Sequence, residues 1–179
     1  MKIGIYGGSF NPVHFGHVGL AEWVIEHTDL DEVWLLVTPN NPLKPTHILA
    51  PEQERLAAVR EAIKDIPGVK ASDFEFSLPR PSYTANTLRE LQKAYPQHEF
   101  TLIIGEDNLA IFTQWREYEN ILKNFRIFVY PRRGENSTST TRPSAERSYS
   151  AAVKELKFLN DAPYFDISST AIRRSQGLQ

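Results

Sequence analysis

The 179-residue chain contains no cysteine, so disulfides and thiolate metal sites are excluded, and a reducing cytoplasm is the expected compartment. It also lacks a charge excess of either sign. Twenty Lys and Arg stand against 22 Asp and Glu, a net charge of −2 that argues against broad polyanion binding and so against a nucleic-acid partner. A small, locally basic anion pocket is still compatible with that balance. No apolar run approaches the ~20 residues that cross a bilayer, so no membrane role is expected. Residues 1–10 hold no apolar stretch of signal-peptide length. What is present is ordinary for a globular protein: 41% hydrophobic and 23% charged residues, on a length that suits one domain over residues 1–179.

Short apolar runs alternate with helical periodicity. Lys2–Tyr6 reads as a buried strand running into Gly7-Gly8, and Val18, Ala21, Val24 and Ile25 mark a helix after Phe15. Val33–Thr38 is a second strand, which completes a βαβ unit and implies a parallel sheet. Pro39–Pro51 is a proline-rich loop. Pro51 suits the first position of a helix running to Lys64, and Val69–Phe74 is a weaker strand. Thr84 is placed to cap a helix over Ala85–Tyr95, followed by the strand Phe100–Ile104. Helical stretches are expected around Asp107–Phe112 and Tyr118–Asn124, with a strand at Arg126–Tyr130. Residues 134–150 read as a mobile loop and Ala151–Leu159 as a helix. Tyr164–Ile167 reads as a short strand, and Ser168–Arg174 as a helix start. The sum is an α/β, doubly wound, Rossmann-like parallel sheet with helices on both faces and ligands at the strands' carboxyl ends.

The first chemical signal is Gly7-Gly8-Ser9-Phe10-Asn11-Pro12-Val13-His14-Phe15-Gly16-His17. Glycines after a strand let backbone approach a phosphate, and the following helix presents free N–H groups and a positive dipole end. His14 and His17, three residues apart, share one face of the first turn, where imidazoles can donate to phosphate oxygens and a phosphate favours their protonated form. Two plainer roles compete: a zinc site, for which no third ligand has recognisable spacing, and simple helix capping by His14. The flanking glycines favour the phosphate cradle. No Lys-Ser/Thr pair follows, so it is not a Walker A loop. The second signal is Ile167-Ser168-Ser169-Thr170-Ala171-Ile172-Arg173, hydroxyls at a helix start with a forked donor one turn on.

Together these segments resemble the nucleotidyltransferase superfamily. Pro81-Ser82-Tyr83-Thr84-Ala85-Asn86-Thr87-Leu88 and Ile103-Ile104-Gly105-Glu106-Asp107 followed by Trp115 are most similar to the nicotinate/nicotinamide mononucleotide adenylyltransferases. The resemblance runs in order from residue 2 to about 174. It implies adenylyl transfer from ATP to nicotinate mononucleotide, giving deamido-NAD and pyrophosphate in NAD biosynthesis, with Mg²⁺ held mainly by the ATP phosphates. No protein-bound metal site is implied, and a homo-oligomer is compatible with it.

By the same resemblance, His14, His17 and Arg173 are the catalytic set. Gly8, Ser9, Phe10, Gly16, Lys44, Ser169 and Thr170 bind ATP. Tyr83, Thr84, Gly105, Asp107, Trp115 and Arg132 (or Arg133) bind the mononucleotide. The backbone N–H groups of Tyr83 and Thr84 are expected on the pyridine carboxylate. Trp115 offers a π-face to the pyridinium ring and Asp107 an acceptor to a ribose hydroxyl. Alternatives are a nicotinamide mononucleotide or phosphopantetheine acceptor or, from another class, a non-catalytic nucleotide-binding sensor. The chain departs from the family pattern with Asn41-Pro42-Leu43-Lys44 where Pro-Pro-His-Lys is frequent, with Asn86 in place of Asp, and in stopping at Gln179 soon after Arg173-Arg174.

Overall fold

The computed structural model describes residues 1–39, 49–132, 152–163 and 172. Six strands form one parallel sheet: β1 (Lys2–Gly8), β2 (Glu32–Val37), β3 (Val69–Ser72), β4 (Glu99–Gly105), β5 (Arg126–Tyr130) and β6 (Glu155–Phe158). Their order is β3-β2-β1-β4-β5-β6, so β1 lies between β2 and β4 and the chain reverses its winding there. In such sheets the crevice beyond the carboxyl ends at the reversal is where ligands bind.

Burial on both faces explains why these strands read as near-continuous apolar runs. On one face α1 (Phe15–His27) sets Leu20, Ala21 and Val24, and α2 (Glu52–Ile63) sets Leu56, Val59 and Ile63, against Leu35, Val37 and Phe128. On the other, α3 (Thr84–Ala94) brings Ala85, Leu88 and Leu91, and α5 (Tyr118–Asn124) brings Ile121 and Leu122, onto Ile3, Ile5, Phe100 and Ile104. Full burial of one such side chain stabilises the fold by ~1.5–3 kcal/mol, so helices on both faces anchor the sheet. A short α4 (Glu106–Ala110) and 3₁₀ turns at Phe74–Ser77 and Phe112–Gln114 complete the described elements. At the amino ends of the strands, Arg126 clamps Asp29 with two 3.0 Å hydrogen bonds and so ties β5 to the loop before β2.

The doubly wound expectation holds, with local corrections. The expected helix over Ala151–Leu159 is instead β6, which pairs with β5 from Arg126↔Glu155 to Val129↔Phe158. Leu156 and Phe158 are its half-buried residues, and an open edge of β5 outweighs the helical preference of the lysines and glutamate around them. The weak strand over Val69–Phe74 stops at Ser72 and turns into the 3₁₀ segment. Helix α3 begins at Thr84 itself with Tyr83 as N-cap, and no side chain caps it. Pro51 is the N-cap of α2 rather than its first residue. The loop over 134–150, the strand over 164–167 and, Ile172 apart, the helix start over 168–174 lie outside the described residues.

Candidate active site

The reversal point carries two adjoining zones. The first is the turn between β1 and α1. Phe10 takes a left-handed backbone conformation (φ 47°), and its buried ring folds back over the strand end, where a Cβ on Gly8 would sit 3.3 Å from it. A side chain at Gly8 would thus crowd the Phe10 ring. Gly7 differs: a Cβ there would meet nothing within 4 Å, so its absence leaves backbone open to a ligand. The Phe10 ring also meets His17 edge-on at 4.9 Å, and Tyr6 lies 6.0 Å from His17.

The two histidines define each other. His14 is the N-cap of α1, and its Nδ1 accepts from the Gly16 N–H at 3.1 Å. His17 Nδ1 accepts in return from the His14 N–H, also at 3.1 Å, which makes a capping box built from imidazoles. Their rings stack at 3.7 Å between centroids. An Nδ1 that accepts cannot carry a proton, so both rings hold theirs on Nε2. Capping and donation to a phosphate are therefore not rival roles for His14, since the cap uses one nitrogen and leaves the proton on the other.

Partial burial pushes the His14 imidazole down to about 4, and the nearby Arg132 cation acts in the same direction. The expectation that a phosphate favours the protonated ring concerns the ligand-bound site; without ligand the ring starts from neutral. In the ligand-free protein His14 is a neutral N–H donor at pH 7, and positive charge comes from Arg132 and the helix dipole.

Gly105, Asp107 and Arg132 meet beside this turn. Arg132 Nη1 lies 3.7 Å from Asp107 Oδ2. A Cβ on Gly105 would stand 2.5 Å from Asp107 Oδ1 and 2.9 Å from Arg132 Cδ, so the glycine lets these two side chains converge over the end of β4. Tyr6 and Tyr130 form the floor, their hydroxyls 3.4 Å apart. Arg133, Lys44, Ser169, Thr170 and Arg173 lie outside the described residues.

The second zone is a cavity of about 440 Å³ whose lining includes Gly7, Gly8, Ser82, Tyr83, Thr84 and Trp115. It brings together the glycine turn and three of the residues expected to bind the mononucleotide. Asp107, Gly105 and Arg132 stand outside its lining, on the side of the histidines. Trp115 is held by Phe112, with ring centroids 5.0 Å apart, and is half-buried. Ser82 Oγ, Glu75 Oε2 and Trp115 Nε1 are buried without a hydrogen-bond partner among the described residues. A cavity that leaves such atoms without a close protein partner suits a partly polar ligand.

Three residues escaped the sequence reading. Arg55, 4% exposed, donates to the carbonyls of Ser9 (2.8 Å), Thr38 (2.7 Å), Pro39 (3.3 Å) and Ala50 (2.8 Å). It thereby holds the glycine turn to the end of β2 and the chain entering α2. Its signal was an arginine on the apolar stripe of Leu56, Val59 and Ile63. Glu75, also 4% exposed, accepts from Thr87 Oγ1 at 2.9 Å. Burial raises its carboxyl above the ordinary range, opposed by the hydroxyls of Thr87, Thr38 and Ser82. Arg116 lines the cavity and lies 4.8 Å over the Tyr83 ring. Its only sequence signal was adjacency to Trp115.

Among the described residues no group of three or more His, Asp or Glu side chains is arranged to hold a metal ion, and no helix is long and apolar enough to cross a membrane.

Comparison with known proteins agrees with this geometry. Residues 5–175 match the Cytidylyltransferase-like family. A protein of Flavobacterium johnsoniae described as a probable nicotinate-nucleotide adenylyltransferase is 46% identical over 98% of this chain and 86% of its own length. One of Bacteroides thetaiotaomicron with the same description is 45% identical over 98% and 81%. The Plasmodium falciparum nicotinic acid mononucleotide adenylyltransferase complexed with NaAD shares the fold, with a TM-score of 0.76 at 20% identity over 97% of this chain and 82% of that one. The chain belongs to the nicotinate-nucleotide adenylyltransferase family, nucleotidyltransferases of NAD biosynthesis with a cytidylyltransferase-like fold.

Proposed function

We propose that this chain joins ATP to nicotinate mononucleotide as a single nucleotidyltransferase domain, releasing pyrophosphate and deamido-NAD, in the cytoplasm. The observation that carries the assignment is the junction of the two zones. A turn with two Nε2–H imidazoles opens beside a cavity of mixed polar and apolar lining, with Trp115 in its wall and the uncapped start of α3 at its edge.

In the reaction an oxygen of the acceptor's 5′-phosphate attacks the α-phosphorus of ATP. One P–O bond forms, and the bond to the β-phosphate breaks with its electron pair leaving on pyrophosphate. The attacking phosphate has its second pKa at about 6 and is already ionised at neutral pH, so no general base is required. Holding both reactants in line supplies ~7–11 kcal/mol, which makes positioning the dominant contribution. His14 and His17 donate Nε2–H groups to the transferring phosphate, with Gly8, Ser9, Phe10 and Gly16 forming the turn around it. Trp115 stacks the pyridinium ring, Tyr83 and Thr84 turn backbone N–H groups to its carboxylate, and Asp107 accepts from a ribose hydroxyl. Arg132 faces the mononucleotide phosphate, and Gly105 makes room for these two. Lys44, Ser169, Thr170 and Arg173 complete the triphosphate grip in this reading, on the strength of family resemblance. ATP enters as its Mg²⁺ complex. The metal spreads the phosphate charge and is held by the nucleotide, because the described donors near the turn are imidazoles and amides rather than a carboxylate cluster.

The test is pyrophosphate release from MgATP with nicotinate mononucleotide, nicotinamide mononucleotide or phosphopantetheine as acceptor. Turnover is expected to be fastest with the first. Turnover with phosphopantetheine alone, or ATP binding without turnover of any, contradicts the proposal.

A further inference from the structure

The wall of the acceptor cavity carries a cation that the turn residues do not use. Arg116 follows Trp115 directly, lines the same cavity as Ser82, Tyr83 and Thr84, and lays its guanidinium over the Tyr83 ring at 4.8 Å. Tyr83 is the N-cap of α3. That 11-residue helix has no side-chain cap and no acidic residue in its first turn, so its first N–H groups face an anion site without competition from the chain itself. Beside them Ser82, 7% exposed, has a buried hydroxyl near the Glu75 carboxyl that makes no close hydrogen bond among the described residues. The nearest carboxylate in sequence, Glu117, feels the Arg116 charge but makes its hydrogen bonds elsewhere. Its backbone is left-handed (φ 55°), and its oxygens accept from Arg89 at 3.0 and 3.1 Å and from Asn120 at 3.1 Å. Arg116 forms no ion pair among the described residues.

We propose that the Arg116 side chain adds to the start of α3 in selecting a pyridine-3-carboxylate acceptor over the corresponding carboxamide, an inference that rests on the mononucleotide reading above. Backbone N–H groups at the start of α3 already favour a carboxylate oxygen over an amide oxygen, but both ring substituents accept from them, so a second source of charge discrimination widens the difference. They differ by one formal charge, and a guanidinium at the cavity wall rewards only the charged one, with a charge-assisted, forked hydrogen bond. The contrary influence is Glu75 on the same lining, which when ionised would favour the carboxamide. Its burial holds it toward the protonated form, and one of its oxygens is engaged by Thr87.

The experiment is steady-state kinetics with MgATP and either nicotinate or nicotinamide mononucleotide, on the unaltered chain and on Arg116→Gln and Arg116→Lys. Arg116 is exposed, so both variants are expected to melt as the unaltered chain does. Arg116→Gln should lower kcat/KM for the carboxylate acceptor by about tenfold or more through KM, and leave the carboxamide within about twofold. Arg116→Lys should fall between. Raising salt should erode the preference of the unaltered chain and not that of Arg116→Gln. An equal loss on both acceptors, or no change in their ratio, overturns the inference. If the unaltered chain uses neither mononucleotide, the acceptor assignment fails first and the inference with it, an outcome distinct from an unchanged ratio.

Discussion

The phosphate turn and the acceptor cavity, side by side at one sheet reversal, are organised in opposite ways. In the turn the histidines are tied into a mutual capping box, Phe10 folds over Gly8, and Arg55 holds the Ser9 carbonyl from beneath. Only Ser9 Oγ is left there buried and unpaired among the described residues, against three such atoms at the cavity, on Glu75, Ser82 and Trp115. The turn is therefore preorganised for a reacting group whose charge changes, which is where fixed donors lower a barrier. The cavity keeps its polar atoms for the ligand to pair, and binding energy with discrimination is gained there. The turn should therefore govern kcat, and the cavity KM and acceptor choice.

The largest expected effect breaks the turn. His17→Ala removes an Nε2–H donor and the acceptor for the His14 N–H, and should lower kcat by ~10²–10³ with mononucleotide KM within about twofold. A loss confined to KM would contradict its placement. Next, Trp115→Ala should raise mononucleotide KM about tenfold, the scale of a stacking and cation–π contact, with KM for ATP unchanged. Loss of ATP affinity instead would mean that the pyridine lies elsewhere. After it comes Gly105→Ala, whose Cβ cannot coexist with Asp107 and Arg132 as they stand. It should weaken mononucleotide binding severalfold by pushing these half-exposed side chains aside, with a smaller effect on thermal or denaturant unfolding.

The smallest effect concerns protonation. Because the folded His14 pKa, about 4, lies below the ordinary 6.5, the unfolded chain binds the extra proton first as pH falls. The stability contributed by this group is thus fully present above pH 6.5 and declines between about 6.5 and 4. Imidazole NMR should show His14 titrating near 4 with its proton on Nε2 at pH 7. A titration near 6.5 would break the claim that this part of the turn is neutral.

Much of this was legible because its physical causes are local. Buried parallel strands are apolar on both faces, so Val33–Thr38 and Phe100–Ile104 stood out within a residue or two of β2 and β4. The glycine-histidine turn was legible because its spacing is itself the geometry. The strand at Glu155–Phe158 was not: its apolar signal is two alternating residues, and the partner that makes it a strand is β5, more than 20 residues away. Arg55, Glu75 and Arg116 were illegible for a related reason. An arginine, a glutamate and a second arginine carry no pattern until the fold brings carbonyls to the first, buries the second beside Thr87, and sets the third over Tyr83. The lowered pKa of His14 was illegible because it depends first on burial and then on Arg132, remote in sequence and close in space.

The most direct test of the division between turn and cavity is one kinetic comparison of His17→Ala and Trp115→Ala in the same pyrophosphate-release assay, with MgATP and nicotinate mononucleotide varied in turn. The account predicts that the first variant loses kcat at nearly unchanged mononucleotide KM, and that the second gains mononucleotide KM at largely preserved kcat. Both variants changing the same parameter in the same proportion would contradict it.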